Sequence, residues 1–196
     1  MSDLRKERRA ARRARERPRR PSRLRAIEAV LWLMVAGLFV WRITPQLRAA
    51  VGGHAAGTEA PAVTLAMLDG GTLRLDELRG QVVLVNFWAA WCPPCRAEMP
   101  GFQTVYDARY TTGFTVVGIS MDEGSSPTVA AFLQDHRITY PVALATPATV
   151  AAFGNVNDLP TSFLIDRQGR IRYTVRGIFA PQTLRRVVDG LLAEPS

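Results

Sequence analysis

Apolar positions in this chain fall into three patterns, and each predicts a different element. From Ala26 to Ile43 the run AIEAVLWLMVAGLFVWRI is interrupted only by Glu28 and Arg42 near its ends, where long side chains reach the interface. As a helix it spans roughly 27 Å at about 1.5 Å per residue, close to a hydrocarbon core of about 30 Å. The second pattern is the short continuous run. VVLVNF, residues 82–87, is apolar apart from Asn86, and FTVVGIS, residues 114–120, follows it; both predict strands buried on two faces. The third is the helical stretch, predicted from Cys92 to about Tyr110, from Pro127 to His136 with its proline in the first turn, and from Pro181 to about Leu192. Two hairpins complete the reading. AVTLAML, the Asp69-Gly70-Gly71 turn and TLRL form one; TSFLID (161–166), the Gln168-Gly169 turn and IRYTV (171–175) form the other. Strands alternating with helices imply an α/β fold with a central mixed sheet flanked by helices, an N-terminal β-hairpin extension and a single N-terminal transmembrane helix.

Charge changes this picture only at the N-terminus. The formal net charge of the 196 residues is +8, but residues 1–25 hold 12 of the 25 basic residues and 3 of the 17 acidic ones. The remainder is nearly neutral, so the folded part carries no basic footprint and nucleic-acid binding is excluded as its function. Basic residues crowded before the apolar run, with only Arg42 and Arg48 close after it, orient the N-terminus toward the cytosol. The expected organisation is an Arg-rich cytosolic tail (1–25), a membrane anchor (26–43), a flexible linker (44–60) and an exported domain (61–196). The chain is thus expected to be single-pass in the cytoplasmic membrane with its catalytic domain on the periplasmic side. A cleaved signal peptide is the alternative reading, with a poor cleavage site at Ala50-Val51-Gly52.

The candidate chemistry lies where the strongest strand meets a helix. Trp91-Cys92-Pro93-Pro94-Cys95 contains the only two cysteines of the chain. At a helix N-terminus the free backbone N–H groups and the helix dipole favour the thiolate of Cys92. Cys95, one turn in, is placed to resolve a mixed disulfide. Two other readings of the pair exist. A static disulfide is possible in an exported protein, although so short a loop stabilises little. Zinc needs four ligands, and His54 and His136 show no ligand spacing to the cysteines. No metal and no cofactor are expected, and no Gly-rich phosphate loop is present. Trp91 is read as a shield and contact face for the dithiol, Phe87 and Trp88 as core, and Met67, Met99 and Met121 as packing residues. Pro100 is expected to kink the helix.

VVLVNFWAAWCPPCRAEMP and LPTSFLIDRQGRI together resemble the thioredoxin superfamily and, within it, the membrane-anchored TlpA-like and ResA-like oxidoreductases. The likeness covers roughly residues 60–193. It implies a thioredoxin fold, a redox disulfide between Cys92 and Cys95, and a cis-proline at Pro160 beside the dithiol, with the Leu159 backbone offered to an extended substrate segment. An ordinary strand-starting proline is the plainer reading of Pro160. Where many thioredoxins have a buried aspartate, this chain has Asn86, which does not titrate. Glu98, three residues after Cys95, matches the glutamate of ResA-like proteins; a buried carboxyl there exchanges protons near neutrality, whereas a solvent-facing one needs no function. Asn86, Pro93 and Pro94 are support residues. The resemblance further implies exported protein substrates with disulfides, apocytochrome c among them, and a membrane electron donor of DsbD or CcdA type. A general disulfide oxidant or isomerase is the nearer alternative; a Sco-like copper chaperone, with wider cysteine spacing and a distant histidine, is the remoter one.

Overall fold

The computed structural model describes residues 30–34, 57–122 and 126–195. The chain divides into two compact units, Met1–Gln46 and Leu47–Ser196. In the first, only Val30–Met34 are described; they are helical and exposed. No helix among the described residues is long and apolar enough to cross a membrane, and the anchor expected over 26–43, like the tail and His54, otherwise lies outside those residues.

The second unit is built on a six-stranded sheet in the order β1-β8-β7-β4-β5-β6. Its strands are β1 (Thr58–Glu59), β4 (Val82–Trp88), β5 (Phe114–Ser120), β6 (Val142–Leu144), β7 (Thr161–Ile165) and β8 (Arg170–Arg176). β4, β5 and β6 are parallel, while β7, β8 and β1 add antiparallel neighbours. The predicted N-terminal hairpin is β2 (Thr64–Ala66) with β3 (Thr72–Arg74). It reaches the sheet edge at β6, where the Leu68 N–H donates to the Val142 carbonyl at 2.8 Å.

Alternation along β4 sorts the core into two layers. Val82, Leu84, Asn86 and Trp88 face the helices α1 (Pro93–Arg109), α2 (Ser126–Asp135) and α4 (Pro181–Ala193), whose Met99, Val129 and Leu184 belong to the same buried cluster. Val83, Val85 and Phe87 face the other way, onto Leu65 of the hairpin, Phe153 and Val156. That second side is covered by the hairpin and the short helix α3 (Pro147–Ala152). Every residue of β4 and β5 is buried, as their uninterrupted apolar character requires.

Two parts differ from the sequence reading. The linker expected to run to residue 60 ends sooner, because Thr58 and Glu59 pair with Ile171 and Arg170 of β8. A free sheet edge is a row of unpaired backbone groups, and two residues suffice to cover this part of it. Residues 142–152, which the hydrophobic pattern leaves unassigned, form β6 and α3. Both are too short to show a period; α3 is set by its ends, with Thr146 Oγ1 accepting from the Thr149 N–H at 3.1 Å and Pro147 in the first turn.

Candidate active site

β4 delivers the chain to the site. After Trp88 the strand ends in a tight link in which the Ala90 N–H donates to Asp122 Oδ2 at 2.9 Å and the Cys92 N–H to the Ala89 carbonyl at 3.1 Å. Cys92 keeps extended backbone angles and caps α1, its Sγ accepting from the Cys95 N–H at 3.3 Å. Pro93 and Pro94 occupy the first turn, where a missing N–H breaks no helical bond. The helix continues through Pro100 to Arg109.

Cys92 and Cys95 are joined in a disulfide with Cα atoms 5.3 Å apart. Both are buried, while Trp91 beside them is 68% exposed and so stands outside the core. The Leu159–Pro160 peptide bond is cis. Pro160 immediately precedes β7, whose Thr161 pairs with Phe87 near the end of β4, so the register brings the proline to the sheet end from which the cysteines emerge. Leu159 is partly buried against both core clusters.

One turn beyond Cys95 on α1 sits a buried acid. Glu98 is 1% exposed. Its Oε1 accepts from Asn86 Nδ2 at 3.0 Å, and its Oε2 from the Phe179 N–H at 2.8 Å. Asn86 Nδ2 also donates to Ser162 Oγ at 3.0 Å, tying α1, β4, β7 and the loop before α4 into one polar knot. Burial pushes the Glu98 carboxyl up to about 7, against the smaller opposing pull of the Phe179 and Asn86 hydrogen bonds. The solvent-facing alternative for Glu98 is therefore excluded by its burial. Spacing along α1 alone predicts where the side chain projects; its burial follows from α4 closing over it.

That closure depends on Gly101. A Cβ at 101 would lie 2.1 Å from Pro181 Cγ, so only glycine lets the start of α4 approach α1 closely enough for the Phe179 N–H to reach Glu98. Ser162, Phe179 and Asp122 were not picked out by sequence reasoning. Ser162 lies inside the LPTSFLID motif and was within reach; the Phe179 contribution is a backbone group and leaves no side-chain signature. His136 stacks on Phe132 with ring centroids 4.1 Å apart, and its Nδ1 meets the Phe132 carbonyl at 2.9 Å, a packing role. Among the described residues no group of histidine, cysteine and acidic side chains is placed to hold a metal.

With its Cys92–Cys95 disulfide at the head of α1, a cis-proline at the same end of the sheet and a buried acid one helical turn along, the fold and site define a thiol-disulfide oxidoreductase of thioredoxin type. Residues 56–174 match the AhpC/TSA family. The chain is 34% identical to the thiol-disulfide oxidoreductase ResA of Bacillus cereus over 136 residues, which is 69% of this chain and 76% of that protein. Among solved structures it resembles a thioredoxin-family thiol:disulfide interchange protein from Chlorobium tepidum, with a TM-score of 0.66 and 34% identity over 71% of this chain and 99% of the other. A putative thiol:disulfide interchange protein DsbE from the same organism aligns with a TM-score of 0.65 and 30% identity, over 70% and 98% of the two chains. The chain belongs to the AhpC/TSA family and is a thiol-disulfide oxidoreductase of ResA/DsbE type.

Proposed function

We infer that this oxidoreductase is a membrane-tethered reductase of exported proteins, working on the extracytoplasmic side with cytochrome c maturation as its pathway. The observation that carries the reading is Glu98, an acid buried one turn beyond Cys95 with a midpoint near neutrality. A reductase must make its buried resolving thiol nucleophilic on demand, and this carboxylate is placed for that proton.

In the reduced protein the Cys92 thiolate, favoured by the helix N-terminus, attacks a client disulfide; one client thiolate leaves and a mixed disulfide forms. Glu98 takes the proton of Cys95, whose thiolate attacks Cys92 Sγ. The Cys92–Cys95 bond closes, the second client sulfur departs and is protonated, and two electrons have passed to the client. Trp91 and the Leu159-Pro160 segment border the client, whose extended backbone pairs beside the cis-proline. A membrane dithiol donor of DsbD or CcdA type restores the reduced state. The basic tail and the apolar run at 26–43 support the tether and its orientation.

Replacing Cys95 by serine removes the resolving thiol and leaves the attacking one. Expressed in the envelope, Cys95→Ser accumulates a mixed disulfide through Cys92 with its client, identified by mass spectrometry. Recovery of no partner, or a reduction potential close to that of a strong oxidant such as DsbA, at about −120 mV, overturns the reductase assignment.

A further inference from the structure

On the α1 side of the sheet three buried polar atoms meet no hydrogen-bonding group of the described residues: Asn86 Oδ1, Trp88 Nε1 and Tyr140 Oη. Topology makes their side chains neighbours. Asn86 lies opposite Gly118 across the β4–β5 pair, and Trp88 is the next residue of β4 on the same face. A Cβ on Gly118 would lie 3.1 Å from Trp88 Nε1 and 3.3 Å from Tyr140 Cε2. Glycine at 118 therefore yields the space above β5 to an indole and a phenol. Tyr140 is held there from α1, because Gln103 Oε1 accepts from the Thr139 N–H at 2.9 Å and Gln103 Nε2 donates to Thr139 Oγ1 at 2.8 Å.

The three atoms are chemically complementary. An indole N–H only donates, an amide oxygen only accepts, and a phenol does both. The set is neutral, which suits a neutral ligand that also donates and accepts. Buried polar atoms in native proteins are paired with protein or with ordered water, and a buried water takes two to four such partners. Glu98 adjoins the same group of atoms: it is bonded to the other end of the Asn86 amide, and its charge, second to burial, holds the Tyr140 phenol above its ordinary range. Tyr140 thus stays a hydroxyl. It also lines a groove of about 600 Å³ between the β2–β3 hairpin and α2.

We propose that Tyr140, with Trp88 and Asn86, holds ordered water beside Glu98 and is a positioning residue in the path by which the Glu98 proton reaches solvent. The proposal rests on Glu98 being the acid–base group of the dithiol. When Glu98 has taken the Cys95 proton, it passes it to the water that Tyr140 holds in place, and the water passes it on to bulk solvent, Tyr140 keeping its own proton throughout. The groups facing Glu98 are few. Its own helix supplies Cys95, the segment before β6 supplies Tyr140, β4 and β7 supply the neutral Asn86 and Ser162, and the loop before α4 supplies the Phe179 N–H.

Tyr140→Phe keeps the ring and removes only the hydroxyl. In the full chain, water-to-protein Overhauser cross-peaks at the Trp88 indole N–H are expected and weaken in Tyr140→Phe. Closure of a mixed disulfide by Cys95 slows roughly 10-fold, less than the 10²–10⁴-fold typical of losing a proton-transfer group outright, and the Glu98 midpoint in its pH profile moves up. Glu98→Gln is run alongside. If Glu98→Gln slows closure while Tyr140→Phe matches the unmodified protein at every pH and no water cross-peak is seen at Trp88, the water path is wrong and the role of Glu98 stands. If neither variant changes the pH profile, both fall together.

Discussion

The two faces of β4 are made by alternate residues of one strand, and they do different work. Val83, Val85 and Phe87 enter a hydrophobic cluster, where Phe87 packs edge-on against Phe153 and Phe163 at centroid distances of 5.2 and 5.9 Å. Leu84, Asn86 and Trp88 enter a layer that contains the disulfide, Glu98 and its hydrogen-bond partners. Both the dry face of Val85 and Phe87 and the face of Leu84 and Trp88 bury a hydrophobic cluster, but only the second also carries the unfavourable burial of the Glu98 carboxyl.

The sharpest way to break this contrast is to damage the dry face. Phe87→Ala is expected to destabilise by about 3–5 kcal/mol in urea unfolding, yet to leave the Glu98 midpoint unmoved by carboxyl ¹³C NMR. A shift there shows that the faces are coupled through β4. Next in size is the pH response of the other face. Glu98 is raised from 4.5 to about 7 by burial, so between those values the folded state holds a proton the unfolded chain has released. Its contribution to stability is complete below about pH 4.5 and is lost as pH rises through about 7. The full swing is about 3 kcal/mol at 1.36 kcal/mol per pKa unit. Unfolding of the oxidised protein between pH 4 and 9 tests this, and Glu98→Gln removes that part of the slope.

A smaller effect separates the acid from its lid. Gly101→Ala drives a methyl group into Pro181 and is expected to destabilise by about 1–3 kcal/mol. By lifting the Phe179 N–H from Glu98 it also raises the carboxyl midpoint further; an unchanged midpoint means that α4 does not set it. Smallest of all in stability is Trp91→Ala, expected within about 0.5 kcal/mol of the unmodified protein because the ring is mostly in solvent. Its effect appears in exchange with protein disulfides, slowed relative to a small-molecule disulfide. Equal slowing of both removes Trp91 from the client surface.

Much of this architecture was legible because its signals are local. The continuous run at 82–87 predicted a central strand, the stretch after Cys92 a helix, and the i, i+3 relation of Cys95 and Glu98 a shared helix face. The short pieces were not legible: β1 exists because β8 offers an edge, and β6 because β5 does, so their hydrogen-bond partners are far away in sequence.

The sequence by itself determined the dithiol, its place at a strand–helix junction and the acid one turn along, since spacing and helical period need no tertiary information. Only the tertiary structure decided that Glu98 is buried, that Phe179 and Asn86 share its two oxygens, and that Trp88 and Tyr140 converge over Gly118. Those facts depend on chain segments 12 to 81 residues apart in sequence from Glu98 or its amide partner, brought together by sheet register and the α1–α4 contact. The Glu98 midpoint near 7 is set chiefly by that burial, which no pattern of neighbouring residues encodes.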